Sequence, residues 1–224
     1  MTNDFKKLIT TKIQEISKLG IKTRTYEQIE EYYNQVLSKI YNKEDLYLFA
    51  YGSLIWKCDI KVKSSTLSKI NGFRRSFCID LKSGRASKEH PGLMLALEEE
   101  NLNTECYGKV YRIANIDIED QLPTIWAREM VVKGYNAQWV DTIYQGQKIK
   151  ALAFVMDNES PFYINLPLVQ KAKRIAFAEG SRGTNREYLY KTLEYLDKNN
   201  VYDEELELLY KEVIKIRNEI NTTA

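Results

Sequence analysis

The chain has 224 residues, and its 33 Lys and Arg nearly balance its 31 Asp and Glu, which gives a formal net charge of +2 at pH 7. This length fits one domain with an appendage or two small domains. The mixed charges lack the basic stripe that binds a phosphate backbone, so we expect no nucleic-acid partner. The sequence also lacks an apolar run of membrane-spanning length and a signal peptide at its start. We therefore predict a cytoplasmic protein without membrane contact.

Cysteine and histidine usage restricts the possible chemistry. Cys58, Cys78 and Cys106 are widely spaced and odd in number, which is neither a disulfide framework nor a C-x-x-C pair. His90 is the single histidine, in a turn-like stretch where we expect it to be exposed. One imidazole excludes a multi-histidine zinc site and argues against a histidine-based triad. We predict no metal and no cofactor, and a chemistry that uses carboxylates, backbone amides and a reactive group of the substrate.

Residues 1–44 are predicted to form an N-terminal helical extension. Apolar residues recur at helical spacing from Phe5 to Leu19, and Gly20 is a natural helix stop. Thr25 and Gln28 resemble a capping box, which predicts a second helix through residue 40. The two helices carry no obvious chemistry, so we interpret them as a packing appendage or an oligomer contact.

Residues 45–224 are predicted to form a second unit with an α+β fold. Asp117 is expected to cap a helix within a strand-rich middle, and Gln145-Gly146 to form a hairpin turn. Short connections favour a mixed or antiparallel sheet, curled into a barrel and flanked by helices. The predicted strands are 46–51, 73–79, 93–97, 107–113, 139–144 and 149–156, and the predicted later helices begin at Leu168, after a cap at Asn185 and after a cap at Asp203.

The segment 51–56 is the strongest local signal for a binding site. A strand that ends in a glycine-containing turn leaves several backbone N–H groups pointing the same way, and such a nest holds a carboxylate or an oxyanion. Gly52 permits a close backbone approach, and Ser53 adds a hydroxyl donor. An ordinary strand-to-turn transition capped by Ser53 explains the same residues, so the pattern alone leaves both interpretations open. The candidate residues are Tyr51, Gly52, Ser53, Leu54, Ile55 and Trp56.

Glu129 is the candidate catalytic group. It lies near the end of the predicted helix, between apolar residues, where the negative end of the helix dipole and partial desolvation both raise a carboxyl pKa. A raised pKa suits proton exchange near neutrality. The residues alone nevertheless favour the alternative, a solvent-facing glutamate paired with a lysine or arginine.

Two loops complete the set of candidates. Residues 84–92 form a polar loop between strands that is a plausible lid. Residues 180–185 join two helices, and their glycines and cap residues are explained by helix stop and start signals.

Several motifs in one order resemble the ChaC family of γ-glutamylcyclotransferases, from residue 46 to about residue 209. The chain departs from the family pattern at Ala86-Ser87, where relatives have Gly-Thr, and at Lys133, where they tend to have glycine. Both changes concern substrate fit more than the reaction. The motifs are Tyr51-Gly52-Ser53-Leu54-Ile55-Trp56-Lys57, Gly72-Phe73-Arg74-Arg75, Gly84-Arg85 through Pro91-Gly92-Leu93, Tyr107-Gly108-Lys109, Trp126-Ala127-Arg128-Glu129-Met130 with Tyr135, Phe154-Val155-Met156-Asp157, and Gly180 through Leu189.

The resemblance implies cleavage of a γ-glutamyl amide without water, metal or cofactor. The α-amine of the glutamyl residue attacks its own γ-carbonyl, which closes 5-oxoproline and releases an amine; from glutathione that amine is Cys-Gly. Glu129 then corresponds to the family's catalytic glutamate and moves protons in both directions. Segment 51–56 binds the γ-glutamyl head, with Trp56 and Tyr163 as walls. Arg85 either meets the glycyl carboxylate or is an exposed, solvated arginine.

Three alternatives remain open at this point. The chain is a cyclotransferase for other γ-glutamyl amines or peptides, a catalytically silent binding or regulatory member of the fold, or an interaction module that docks through its N-terminal hairpin. A silent copy has no chemical reason to keep a carboxylate at Glu129.

Overall fold

The computed structural model describes residues 3–40 and 44–223, with 220–223 as backbone only. Among the described helices, none is both long and apolar enough to cross a membrane. The helices are α1 (Asn3–Ser17), α2 (Tyr26–Leu37), α3 (Ile118–Glu129), α4 (Leu168–Phe177), α5 (Asn185–Lys198) and α6 (Glu204–Thr223). The strands are β1 (Leu46–Ala50), β2 (Ser64–Asn71), β3 (Phe73–Leu81), β4 (Gly92–Glu99), β5 (Glu105–Ile113), β6 (Tyr135–Tyr144), β7 (Gln147–Met156), β8 (Glu179–Gly180) and β9 (Gly183–Thr184).

Seven strands form one mixed sheet in the order β2-β5-β1-β7-β4-β3, with β6 paired to β7. β1 and β4 run parallel to β7, whereas β1–β5, β3–β4 and β6–β7 are antiparallel. Gln145 (φ 50°) and Gly146 (φ 82°) form the β6–β7 turn in the left-handed region that tight hairpins require. The predictions of this hairpin and of an α+β fold with a mixed sheet are therefore confirmed.

The predicted closure into a barrel is not confirmed, because the sheet is not closed. β2 and β6 do approach each other, but the bonds between them involve side chains. Ser68 Oγ lies 2.9 Å from Thr142 Oγ1, and Ser64 Oγ lies 2.6 Å from the Tyr144 hydroxyl. Hydrogen bonds between hydroxyl side chains thus connect β2 and β6, whereas a closed barrel would connect them by backbone hydrogen bonds.

Strand β2 is not predicted by the sequence pattern, although it pairs with β5 along its whole length. Its sequence, SSTLSKIN, contains only two apolar residues, and most of its positions are partly or fully exposed. A strand with so little buried surface lacks the alternation on which strand prediction depends. Its partner β5, by contrast, contains the predicted strand 107–113.

The predicted helix caps are confirmed in part. Asp203 accepts a hydrogen bond from the Leu206 amide at 3.1 Å, as expected of a cap. The prediction that Asn185 caps α5 is wrong. Thr184 occupies the N-cap position, and its side-chain oxygen accepts a hydrogen bond from the Glu187 amide at 3.1 Å. The Asn185 amide group instead bonds the backbone N–H and C=O of Leu93, each at 2.8 Å. Asn185 therefore fastens α5 to β4, which fixes the helix that carries Tyr188.

The N-terminal helices pack into the main hydrophobic core rather than beside it. The capping box is confirmed, since Thr25 Oγ1 accepts from the Gln28 amide and Gln28 Oε1 accepts from the Thr25 amide. The Tyr33 ring packs edge-on against Trp126 of α3 at 5.5 Å, and the Trp126 indole N–H donates to the Ile29 carbonyl at 3.2 Å. Helix α3 is thus buried between the sheet and the extension.

Gly108 provides a test of the packing between β1 and β5. A Cβ at this position would lie 2.4 Å from the Ala50 carbonyl oxygen and 2.6 Å from Phe49 Cζ. We expect Gly108→Ala to lower the free energy of unfolding by about 1–3 kcal/mol, because the backbone of β1 has to move. Urea denaturation measures this loss. The control is Gly134→Ala, whose Cβ would meet Ile79 Cδ1 at an ordinary 3.7 Å, and an equal loss in both variants would contradict the packing argument.

Candidate active site

Glu129 is the last residue of α3, and its side chain is only 16 % exposed. Burial raises the pKa of the Glu129 carboxyl, and the adjacent Arg128 opposes that rise. Arg128 Nε lies 3.0 Å from Glu129 Oε1. The predicted position at the helix end and the predicted direction of the pKa are both confirmed. Glu129 is therefore a mostly buried carboxyl group with one neighbouring cation, and not the solvent-facing glutamate of the alternative interpretation.

Three buried tyrosines lie near enough to Glu129 to interact with its charge: Tyr51 after β1, Tyr135 at the start of β6 and Tyr188 in α5. Burial raises the pKa of each hydroxyl, and the negative charge of Glu129 raises it further. The Tyr51 hydroxyl donates to the Phe154 carbonyl at 2.6 Å, and the Tyr135 hydroxyl donates to the Leu95 carbonyl at 2.8 Å. The tyrosines stay neutral at physiological pH, so they enclose the carboxylate without adding charge.

The segment after β1 forms a 3₁₀ turn over Ser53–Ile55 that begins beside Tyr188. A Cβ at Gly52 would lie 2.9 Å from the Tyr188 hydroxyl oxygen, so only glycine permits this approach. The Ser53 backbone thus lies next to the Tyr188 hydroxyl, and the Ser53 hydroxyl accepts a hydrogen bond from Arg128. Gly52 and Ser53 therefore lie among the groups that surround Glu129.

The later part of the same turn anchors it in the core. The Ile55 amide donates to the Gly52 carbonyl and the Lys57 amide to the Ser53 carbonyl, so these two donors are already used. Leu54 and Ile55 are buried, and the Tyr111 hydroxyl donates to the Leu54 carbonyl at 2.7 Å. The amides of Ile55 and Lys57 are therefore not available to a bound anion, and the predicted anion nest is restricted to the start of the turn.

Trp56 is half-buried between α5 and two cationic side chains. Its indole N–H donates to Thr192 Oγ1 at 3.2 Å, and its ring packs edge-on against Tyr188 at 6.0 Å. The Arg85 guanidinium lies 6.0 Å and the Lys191 ammonium 5.5 Å from the ring centroid. This position, next to Tyr188, agrees with the predicted wall of the site.

Arg85 connects the loop 84–92 to α5. Its Nη1 donates to Glu187 Oε2 at 2.8 Å and to the Thr184 carbonyl at 2.9 Å, and its side chain is 19 % exposed. Arg85 and Lys191 together lower the pKa of Glu187 to about 2. The structure thus shows a paired arginine beside Trp56 rather than an exposed, solvated one.

Tyr163 lies in a different polar cluster. Its hydroxyl donates to Glu98 Oε1 at 2.9 Å, and burial together with Glu98 raises its pKa to about 12. Glu98 also pairs with Arg74 at 3.1 Å. None of the hydrogen bonds described for Tyr163 joins it to Glu129 or to the segment 51–56. The role of Tyr163 as a wall of the site therefore stays a prediction.

Three neighbours of Glu129 were not predicted as site residues: Arg128, Tyr135 and Tyr188. Tyr135 and Tyr188 both fall inside motifs that resemble the ChaC family, which is the signal that marks them. Nothing in the local pattern of α5 distinguishes Tyr188 from a core tyrosine. Arg128 precedes the candidate base directly, yet sequence adjacency does not reveal that its side chain reaches Ser53.

The cysteines and acidic residues offer no obvious metal site in the part of the chain that the structure describes. No group of three His, Cys, Asp or Glu side chains there is arranged to hold an ion. All three cysteines are free thiols, and His90 is exposed as expected. Cys78 is buried, which raises its pKa and makes its thiolate unfavourable.

Comparison with known proteins identifies the family of this chain. A family model described as ChaC-like protein matches residues 46–216. This chain belongs to the ChaC-like family. The match begins at the first residue of β1 and includes the turn at Gly52, the loop of Arg85, Glu129 and Tyr188. The family resemblance read from the sequence is confirmed, and the two N-terminal helices lie outside the matched region.

Named relatives of this ChaC-like chain are cyclotransferases. A glutathione-specific γ-glutamylcyclotransferase from Escherichia coli is 34% identical over 173 residues, covering 76% of this chain and 74% of that protein. A glutathione-specific γ-glutamylcyclotransferase 1 from Danio rerio is 31% identical, covering 69% and 80%. The crystal structure of a γ-glutamyl cyclotransferase specific to glutathione from yeast superimposes with a TM-score of 0.69 at 19% identity, covering 77% of this chain and 96% of that one. The last likeness shows a shared fold.

The raised pKa of Glu129 has a consequence for stability. A carboxyl group whose pKa is higher in the folded protein stabilises the fold below its unfolded pKa and loses that contribution as pH rises through the folded pKa. We expect Glu129→Gln to be more stable than the wild type at pH 8, by on the order of 1 kcal/mol, and to lose this advantage toward pH 4. Urea denaturation across this pH range measures the difference.

Glu187→Gln is the matched control with the opposite sign. The pKa of Glu187 is lowered to about 2, so its ionised form stabilises the fold above the unfolded pKa, and this contribution is lost as pH falls toward 2. This variant should be less stable than the wild type at neutral pH. The same trend in both glutamine variants would contradict the burial of Glu129.

Proposed function

We propose that this ChaC-like chain is a γ-glutamylcyclotransferase that converts glutathione to 5-oxoproline and Cys-Gly. The observation that carries the proposal is Glu129, a mostly buried carboxyl group with a raised pKa, ringed by three neutral tyrosines and placed beside the turn at Gly52 and Ser53. The names of the bacterial and fish relatives support the choice of glutathione.

The candidate site contains a carboxyl group, neutral tyrosines and a backbone turn, and this small set of groups is enough for an intramolecular reaction. In γ-glutamyl compounds the nucleophile, the α-amine, is tethered to the electrophile, the γ-carbonyl. Tethered partners reach effective molarities of roughly 10⁵ M or more when they are held in the reactive conformer. The protein then has to bind the folded-back glutamyl head and move protons. Neither task needs an activated serine or cysteine.

The proton balance requires a group that both takes and gives. The substrate ammonium loses two protons as it becomes the ring N–H, and the departing nitrogen gains two as it becomes the ammonium of Cys-Gly. One C–N bond forms, the amide C–N bond breaks, and no net proton is released. A raised carboxyl pKa makes the ionised group a stronger base for the first transfer, and the protonated group can then give the proton to the leaving nitrogen. We assign both transfers to Glu129.

The start of the 51–56 segment is the proposed binding site of the glutamyl head. Gly52 lets the head approach the backbone, and the Ser53 hydroxyl and amide lie next to Tyr188 and Arg128. The positive charge of Arg128 at Ser53 favours the α-carboxylate of the head. Tyr51 and Trp56 form the walls, whereas Leu54 and Ile55 contribute through their backbone because their side chains are buried.

Two broader predictions belong to the same proposal. The γ-glutamylcyclotransferase-like domain would comprise residues 45–224, with residues 1–44 as an extension whose two helices pack into the core of that domain. A cytoplasmic location would suit the three free cysteine thiols, since such compartments keep thiols reduced. Glutathione would be the small-molecule partner.

Glu129→Gln tests the reaction and its base together. We expect the wild type to form 5-oxoproline and Cys-Gly from glutathione, and the variant to be slower by roughly 10²–10⁴-fold, because the amide cannot exchange the protons. Mass spectrometry of both products gives the rates. The control is Glu119→Gln, at an exposed position in the first turn of the same helix.

The three possible failures of this experiment have different meanings. A loss of less than about tenfold in Glu129→Gln would contradict the assignment of the base. A wild type that cleaves other γ-glutamyl amides but leaves glutathione intact would contradict the substrate and retain the reaction. A wild type inactive on every γ-glutamyl compound would favour a silent binding protein.

Two substrates, with and without a glycyl carboxylate, distinguish the two possible roles of Arg85, which are substrate binding and holding the loop 84–92. If Arg85 binds the glycyl carboxylate, Arg85→Ala should raise KM for glutathione by roughly tenfold or more and leave KM unchanged for a γ-glutamyl amide without that carboxylate. The control is Glu187→Ala, which breaks the Arg85–Glu187 ion pair and leaves the arginine in place. Equal KM changes for both substrates would instead assign Arg85 to holding the loop.

A further inference from the structure

Arg24 is a buried arginine that comes from outside the region matched by the family model. Its side chain is 5 % exposed and lies in the link between α1 and α2. Among the described residues it forms no ion pair with a carboxylate, although a buried guanidinium without a partner is costly. Its hydrogen-bond donors are instead used within a single segment, residues 130–136. Three bonds go to backbone carbonyl groups, and a longer one, at 3.5 Å, goes to Asn136 Oδ1.

The guanidinium contacts both ends and the middle of that segment. Nη1 donates to the carbonyls of Met130 and Val132, each at 2.9 Å, and Nη2 donates to the carbonyl of Tyr135 at 2.6 Å. The planar fork of an arginine can hold several acceptors in one fixed geometry, whereas a lysine ammonium acts as a point charge. Arg24 therefore fixes the relative position of three peptide groups.

The backbone around Arg24 adds two contacts to the same segment. The Arg24 amide donates to the Val131 carbonyl at 2.9 Å, and Thr23 forms an isolated antiparallel bridge with Val132. The Tyr32 ring of α2 lies 5.5 Å from the guanidinium carbon and covers it. The link between the two N-terminal helices thus acts as a short extra strand along residues 130–132.

The clamped segment connects two residues of the candidate active site. Glu129 directly precedes Met130, and Tyr135 is the last residue whose backbone carbonyl group Arg24 binds. Because the segment follows the end of α3, its carbonyls lack the intrahelical partners that would otherwise fix them. A shift of these peptide groups would move the carboxyl group of Glu129 relative to the Tyr135 hydroxyl.

We propose that Arg24 is a positioning residue for the reaction and that the N-terminal helices are part of the catalytic apparatus rather than a docking appendage. The inference rests on the proposed function, since it assigns the effect to Glu129 as the proton-transfer group. Arg24 acts through the backbone of residues 130–135 and does not touch the substrate. Its loss should therefore change the turnover of bound substrate more than the binding of the glutamyl head at Gly52 and Ser53.

The test is Arg24→Lys, which keeps the charge and removes the fork. We expect kcat for glutathione to fall roughly ten- to hundredfold, because small displacements of a catalytic group are this costly, while KM changes by less than about threefold. Hydrogen–deuterium exchange over residues 130–136 should become faster. This exchange measurement needs no substrate.

Two control variants separate positioning from stability. Lys12→Ala removes an exposed cation of α1 that pairs with Glu15 at 2.9 Å, and it should change neither kcat nor exchange. Ile9→Val weakens the packing of the fully buried Ile9 in α1, and it should lower Tm while leaving kcat at the wild-type value. If Arg24→Lys and Ile9→Val lose a similar amount of Tm, a fall of kcat in Arg24→Lys alone is due to the displaced segment 130–135 and not to lower stability.

Three results would overturn the proposal. They are unchanged exchange over residues 130–136 in Arg24→Lys, wild-type kcat despite faster exchange, or an equal fall of kcat in Ile9→Val. A wild type that leaves glutathione intact would count against the proposed function instead. In that case the exchange comparison alone would still decide whether Arg24 holds the segment.

Discussion

The burial of the Glu129 carboxyl group is the constraint on which the site depends. An ionisable group removed from water loses hydration that neighbours must replace, or its pKa shifts until it is neutral. Here a single cation, Arg128, partly offsets the burial, and the nearby tyrosine hydroxyls stay protonated. Burial thus shifts the equilibrium of this carboxyl group toward its neutral form, which favours its use as a proton donor as well as an acceptor.

The same tyrosines also join the centre of the sheet. β7 meets β1 at the single pair Leu48–Leu152 and β4 at the single pair Leu97–Val155, so the parallel ladders there are short. The hydroxyl of Tyr51 bonds a carbonyl of β7, and that of Tyr135 bonds a carbonyl of β4. Tyr51 and Tyr135 therefore serve both the surroundings of Glu129 and the contacts between strands. A substitution at either tyrosine affects both.

Helix α3 depends on the N-terminal helices for its outer cover. Trp126, one turn before Glu129, is fully buried and bonds the Ile29 carbonyl, and Tyr33 packs against its ring. Arg24 then satisfies carbonyls just beyond the helix end. The residues that follow the candidate base are therefore held from the side opposite the sheet by a segment that the family model does not include.

The sequence by itself determined the α+β class, most strands, the caps at Thr25 and Asp203, and Glu129 at a helix end, because periodicity, glycine turns and capping residues act within a few positions of the chain. The motifs in order also identified the family. Only the tertiary structure decided that β2 pairs with β5, that Tyr163 bonds Glu98, and that Tyr188 and Arg128 join Glu129. These contacts join residues far apart in sequence, or depend on where a long side chain reaches, and local patterns carry no information about either.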